Sequence, residues 1–238
     1  LPGDRIAAHA GAGVLAPLDD LVDAVWLEET YLAQALDALR FDGRLWGLPL
    51  SVQTVTFIYN VDLIDERWLS AQTPELLAKA REYQAAHQGV WYLAYPASDN
   101  IYFAAPWFYG AGAWYVREDG SVGLDTPAGQ AAAAFIASLR EVMPPDIDYT
   151  RADALFKSGQ AAITVNGPWY LPELEAAGVR YGLQIMPVVS SSGQPARPLV
   201  TVEGLMLGAF SRHPGEATRV MAYLTNPESA LQMVRRHR

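Results

Sequence analysis

The sequence predicts an α/β fold, and three observations carry that prediction. Short apolar runs alternate with helix-length amphipathic segments along the whole chain. The run Ala161-Ala162-Ile163-Thr164-Val165 has the apolar, β-branched character of a buried strand, and Asn166-Gly167-Pro168 stops it, with Trp169 and Tyr170 at the break. At 238 residues and 51% apolar content, the chain can bury one large core or two small ones. The break after Val165 is where an open α/β sheet places ligands, in the crevice beyond the carboxyl ends of its strands. An indole there offers a flat apolar face with one N–H donor, a platform suited to the C–H-rich face of a sugar ring. A plug for the core uses the same residue equally well, so Trp169 carries two readings.

Composition narrows the functional classes. Charged residues make up only 18% of the chain and the net charge is −9, which argues against a nucleic-acid surface, since phosphate binding needs clustered Lys and Arg. No apolar run approaches the roughly 20 residues of a membrane-spanning helix. The chain opens with neither Met nor a basic segment followed by an apolar one, the pattern expected of a processed chain or a fragment. With no cysteine there are no disulfides, no thiol catalysis and no Cys-ligated metals, a composition compatible with bacterial export. His9, His87, His213 and His237 are scattered, without an i, i+4 pair, so no catalytic metal and no cofactor are expected. Seven Trp and twelve Tyr, many beside Gly, Pro or Asn, supply the mixture of apolar face and polar handle that carbohydrate sites and protein interfaces share.

Taken in order, Gly11-Ala12-Gly13-Val14-Leu15-Ala16 has the letters of G-x-G-x-x-A, but residues 6–10 make a poor strand and Pro17 interrupts any following helix, so no dinucleotide site is expected. Leu18, Leu21, Val22 and Val25 at helical spacing predict a helix over 17–27, and 31–39 reads as a second, shorter one. Asp42-Gly43 signals a tight turn between Phe41 and Leu45-Trp46. Residues 54–59 read as a buried strand ending in a turn at Asn60. Thr73 is expected to cap a helix that has Pro74 at its first position and ends at Gly89. A strand over 89–94 and a loop over 95–102 follow, the loop carrying Asp99, Asn100 and Tyr102. Core packing is the favoured reading for Trp107, Phe108 and Trp114.

Farther along, Asp119-Gly120 marks a hairpin-type turn, and Thr126-Pro127 opens a long Ala-rich helix that ends before Pro144. Residues 143–149 read as a loop and 150–158 as the helix before the central strand. A short helix over 172–177 closes at Gly178, 181–186 and 205–210 are strands, and 190–195 has the composition of a surface turn. Two helices complete the chain, over 214–224 and from Pro227 to the end, the second capped by Asn226.

Several of these stretches together resemble the extracellular solute-binding protein family of ABC sugar importers, its maltose/maltodextrin-binding branch in particular. Phe156-Lys157-Ser158-Gly159 closes a helix before an apolar strand and Asn166-Gly167-Pro168-Trp169, as in the family's F-x-x-G and N-G-P-W. Phe57-Ile58-Tyr59-Asn60-Val61-Asp62-Leu63 matches F-I-Y-N-x-D-L, and Gly43-Arg44-Leu45 with Pro49 matches G-K-L-x-x-x-P. Ile101-Tyr102-Phe103 with Pro106 matches E-P-Y-F-x-x-P, and Asp4-Arg5 leads into the L-x-x-L of Leu15 to Leu18.

The resemblance implies a two-lobe periplasmic-binding-protein fold of class II. Residues 1–52 and 200–238 would form a partial first lobe and 53–199 an essentially complete second one. Relative to the family, segments before Leu1 and after Arg238 are expected. The implied function is capture of a maltose- or maltodextrin-type oligosaccharide in an interlobe cleft by hinge closure. Trp169 and Tyr102 would stack on sugar rings, and Asp4, Arg5, Gln53 and Asn100 would hydrogen-bond hydroxyls. Gln53 and Asn100 stand where the branch carries Glu; an amide donates as well as accepts, so it reads hydroxyls differently. The implied partners are the oligosaccharide and the membrane subunits of an ABC importer, with no nucleic acid, and the implied location is extracytoplasmic, in a periplasm or on a cell-surface lipoprotein. A partial lobe exposes apolar surface, which favours self-association or pairing with the remaining lobe segments.

Two other functional classes bear on the same residues. A carbohydrate hydrolase needs two carboxylates about 5 Å or about 6.5–9.5 Å apart across the scissile bond. Asp4, Asp99 and Glu203 are the candidates; nothing in the sequence pairs them, and Gln53 and Asn100 are not acids, so no enzyme is expected. An interaction module would use Trp169 and Tyr102 as an exposed aromatic surface, and their loop positions allow it.

Overall fold

The computed structural model describes residues 1–117 and 119–236; His237 and the expected end of the last helix at residue 238 lie outside the described residues. Two units are formed, one from residues 1–53 and 200 onward, the other from Thr54–Leu199.

In the first unit, strands Leu15–Ala16, Thr201–Gly208 and Gly47–Gln53 form an antiparallel sheet in that order. Gln53 pairs with Thr201 and Val52 with Val202, and the register shifts between Glu203 and Gly204. Gln53 thus ends a strand of this unit, one residue beyond the 1–52 expected from the sequence. Ile6, Leu18, Leu39, Leu45 and Leu48 are buried together against Val202 and Leu207, and each such side chain contributes roughly 1.5–3 kcal/mol of burial. Asp42 and Gly43 both have positive φ, 51° and 73°, between strands Arg40–Phe41 and Arg44–Leu45. That is the two-residue hairpin turn whose backbone needs both central residues left-handed.

The helix expected over 17–27 is not formed. Residues 17–23 are extended or turning, and the helix is Ala24–Thr30. Asp19 is the physical reason: its carboxylate accepts from the Leu45 amide at 3.2 Å and from Arg44 Nε at 3.2 Å, which ties this stretch to the hairpin. Asp23 then starts the helix by accepting from the Trp26 amide at 2.9 Å. The apparent apolar stripe is split, with Leu18 buried but Leu21 and Val25 exposed. The shorter helix covers only Ala33–Asp37. The helix Ile6–Gly11 ends at the glycines of the G-x-G-x-x-A stretch rather than starting there. Helices Pro214–Thr225 and Pro227–Arg236 follow, and Asn226 caps the second by accepting from the Ser229 amide at 2.8 Å.

The second unit is built on a four-stranded sheet in the order Trp91–Leu93, Ala161–Asn166, Thr56–Asn60, Tyr181–Gln184. The first pair is parallel and the other two are antiparallel. Every residue of Ala161–Asn166 is buried, as a central strand with both faces covered must be. Helices Thr73–Ala86, Ile101–Gly110 and Pro127–Leu139 pack the core, in which Trp107 is fully buried and donates its indole N–H to the Tyr95 hydroxyl. Burial pushes the Tyr92 hydroxyl up to about 12 and the Tyr95 hydroxyl higher still, so both stay protonated at ordinary pH.

Thr73 does not cap its helix. It lies inside the first turn, where its hydroxyl donates to Ser190 Oγ at 3.2 Å, and Glu75 instead reaches back to the Ala71 amide at 2.8 Å. Thr126 is a side-chain cap as expected, accepting from the Gly129 amide at 3.1 Å. Residues 188–195 form a small hairpin, with Gly193 left-handed at its turn. No described helix is long and apolar enough to cross a membrane.

Candidate functional site

The central strand of the second unit delivers the site. At its last residue the Asn166 side chain is buried and used twice: its amide donates to the Tyr149 hydroxyl at 3.2 Å, and its oxygen accepts from the Gly167 amide at 2.9 Å. Pro168–Tyr170 then makes a single 3₁₀ turn, with proline at the first position, where its missing N–H costs nothing. The two aromatic residues on this turn diverge. Tyr170 is buried with Ile58, Phe156 and Leu174 and is the core plug. Trp169 remains 37% exposed, its indole folded back over Gly167 so closely that a Cβ on that glycine would clash with the ring. The N-G-P-W stretch therefore has a steric logic: glycine leaves room for the indole to lie against the backbone.

Tyr102 stands beside it. The two rings are 6.3 Å apart and tilted by 46°. Phe103 meets Tyr102 edge-on at 5.8 Å and meets Tyr149 at 6.0 Å, so four aromatic rings form one connected group. The Tyr102 hydroxyl is buried and has no hydrogen-bond partner among the described residues. A buried hydroxyl without a partner costs about 1–3 kcal/mol. Tyr149 carries no motif of its own in the sequence, where it ends a loop; in the structure it is the first residue of helix Tyr149–Lys157 and is 39% exposed. A signal was present, because Asp148 is a good helix cap and accepts from the Arg151 amide at 2.7 Å.

Asn100 is in the same neighbourhood but does local work. Its side-chain oxygen caps helix Ile101–Gly110 by accepting from the Tyr102 amide at 2.8 Å, leaving its amide N–H groups for other partners. Asn100 thus fixes the backbone from which Tyr102 projects. Asp4, Arg5 and Gln53 belong to the first unit. Asp4 and Arg5 share the turn Gly3–Arg5, highly exposed, with Arg5 Nε 3.9 Å from the Asp4 carboxylate. An exposed pair of that geometry contributes little to stability. Pro2 bridges to Glu203, and Gln53 pairs with Thr201, so all three polar residues lie along strand Thr201–Gly208. The Gln53 amide donates to Ser51 Oγ at 3.3 Å. No group of three His, Asp or Glu suited to a metal ion occurs among the described residues.

Comparisons with known proteins agree on one family. Residues 2–231 match the family model of the bacterial extracellular solute-binding protein. The maltotriose-binding protein of Pyrococcus abyssi is 27% identical over 235 residues, which are 97% of this chain and 51% of that protein. The galactooligosaccharide-binding protein of Bacillus subtilis is 26% identical over 244 residues, 97% of this chain and 56% of that one. The crystal structure of cyclo/maltodextrin-binding protein complexed with maltotetraose matches with a TM-score of 0.83 at 27% identity, covering 97% of this chain and 60% of that chain. The chain spans about half the length of these two curated relatives. Its α/β architecture is the class II periplasmic-binding fold, and these relatives are named for binding rather than for catalysis. The chain belongs to the bacterial extracellular solute-binding protein family.

Proposed function

We propose that this chain binds an oligosaccharide of the maltodextrin type, outside the cytoplasm, as part of the capture component of an ABC importer, and does no chemistry on the sugar. The observation that carries the reading is the exposed Trp169 indole beside the Tyr102 ring, whose hydroxyl has no partner among the described residues. An aromatic face takes the C–H side of a pyranose ring, and a nearby hydroxyl takes one of its polar edges. Tyr149 extends the same aromatic group, and the free amide N–H groups of Asn100 supply donors. In the first unit, Asp4, Arg5 and Gln53 are the residues proposed to bond sugar hydroxyls. Delivery to the importer's membrane subunits completes the proposal.

Titration calorimetry with maltose, maltotriose, trehalose and galactooligosaccharides tests it, with Trp169→Ala alongside and chromatography of the sugars afterwards. The expected result is saturable binding that weakens sharply in the variant, with every sugar recovered intact. Release of smaller sugars would replace the reading with a hydrolase. Equal binding by the variant would remove the indole from the site.

A further inference from the structure

Asn166 stands where the aromatic group closes on itself. From Tyr149 the rings run through Phe103 and Tyr102 to Trp169, at 6.0, 5.8 and 6.3 Å from one to the next. The Trp169 indole in turn lies against Gly167. Asn166 holds both ends of this series, because its side chain bonds the Tyr149 hydroxyl at 3.2 Å and the Gly167 amide at 2.9 Å. It is only 4% exposed, so its polar atoms are used inside the protein.

The orientation of its side-chain amide follows from what faces it. The Gly167 N–H can only donate, so the Asn166 oxygen turns to it and the NH2 group turns to Tyr149. The Tyr149 oxygen therefore accepts and keeps its own proton to donate elsewhere. The side-chain type is specific to this task. Alanine leaves both partners without a bond, serine is one bond shorter, and a carboxylate accepts from both but buries a charge. The backbone needs the tie as well. Asn166 is opposite Thr56 at the end of its strand, and Pro168 has no N–H to give. The Gly167 carbonyl accepts from the Tyr170 amide at 3.1 Å. With its N–H held by Asn166, the glycine under the indole is fixed through both of its polar groups.

We propose that Asn166 is a positioning residue of the ligand site. It places the Trp169 indole through Gly167 and the Tyr149 ring through its hydroxyl, so that the two ends of the aromatic group keep one arrangement before a ligand arrives. It touches no ligand itself. Such preorganisation raises affinity by reducing the ordering that binding must otherwise impose. The inference rests on the oligosaccharide reading of the aromatic group, although the placement of the indole is measurable without a sugar.

The test labels the full chain with 5-fluorotryptophan and identifies the Trp169 resonance by its loss in Trp169→Phe. Fluorine spectra without sugar, maltotriose affinity by calorimetry and thermal unfolding are measured for Asn166→Ala, Asn166→Asp and Tyr149→Phe. Asn166→Asp is the conservative variant: its carboxyl accepts from the Gly167 amide and still bonds the Tyr149 hydroxyl, accepting when ionised and donating when neutral. In folded Asn166→Ala the Trp169 resonance should shift or broaden while those of the remaining tryptophans stay, and affinity should fall about tenfold. In Asn166→Asp the resonance should return towards its original position and affinity recover to within about threefold of the unsubstituted protein. A role confined to ending the strand lowers the melting temperature and leaves resonance and affinity where they were; that result overturns the proposal. If Asn166→Ala does not fold, Tyr149→Phe decides, because it keeps the ring and the tie to Gly167 and loses one hydrogen bond. It should lose about fivefold in affinity, and unchanged affinity overturns the proposal. If no sugar binds the unsubstituted protein, the oligosaccharide reading fails, and an unmoved Trp169 resonance in Asn166→Ala separately shows that Asn166 does not place the indole.

Discussion

Gly167→Ala moves the Trp169 indole without removing it. The backbone at Gly167 is extended, with φ −106° and ψ −179°, a conformation open to any residue. A Cβ built there would lie 2.6 Å from Trp169 Cε3, and closer to the Cζ3 and Cη2 atoms. Carbon atoms in contact sit about 3.5–4.0 Å apart, so the ring must retreat by about 1 Å or more. The clash is with the far end of a side chain that is 37% exposed, and the indole can swing outward. The cost to folding is then that of an unfavourable rotamer, about 0.5–1.5 kcal/mol. The cost to binding is larger relative to what is at stake. Deleting an aromatic anchor typically loses 2 kcal/mol or more, and a ring displaced by about 1 Å forfeits much of its contact, so affinity should fall about tenfold, or about 1.4 kcal/mol. Calorimetry with maltotriose measures the affinity, and thermal unfolding confirms that the variant is folded. Unchanged affinity in folded Gly167→Ala would refute the idea that the position of this indole matters to the ligand.

Other substitutions probe the frame behind the site. Asn100→Ala removes the cap of helix Ile101–Gly110 and should cost about 1 kcal/mol in urea unfolding, whereas Asn100→Asp, which still accepts from the Tyr102 amide, should recover most of it. Tyr149→Phe strands the buried Asn166 amide and should destabilise by about 1 kcal/mol; a loss below about 0.3 kcal/mol would mean that water replaces the hydroxyl. Acid should weaken the second unit slightly. The hydrogen bond from Lys79, then that from the Ala71 amide, holds the Glu75 carboxyl below its ordinary value, and Arg180 does the same for Asp62. A carboxylate whose pKa is lowered by folding contributes its full stability above the ordinary value, 4.5 for Glu and 3.8 for Asp, and loses it as pH falls through the lower folded value. Both groups are exposed, so the slope should be shallow and flatten in salt, and Glu75→Gln should flatten it further.

The parts of the fold that could be read from the sequence are those set by neighbouring residues. Asp42-Gly43 fixes its hairpin because two left-handed residues in a row suit few others, and Thr126 and Asn226 cap their helices through atoms three residues away. The failures occur where a distant partner competes for the same side chain. Asp19 bonds Leu45, 26 residues on, and unmakes the helix expected over 17–27. Thr73 gives its hydroxyl to Ser190, 117 residues away, and Glu75 takes over at the helix start. At the site, Trp169 and Tyr102 are visible in short motifs, because each sits at a break in a regular element. Tyr149 joins them only through the third dimension, by way of Phe103 and Asn166. The two readings of Trp169 separate for a related reason: alternating exposure along one tight turn buries Tyr170 and leaves Trp169 open, and no spacing rule indicates which of two adjacent aromatic residues faces inward.

The most direct test of the account is a crystal structure of the protein grown with maltotetraose. The account predicts a pyranose ring stacked on the Trp169 indole at about 4 Å, with a sugar hydroxyl bonded to Tyr102 Oη. Sugar bound at a place that touches neither residue would contradict it.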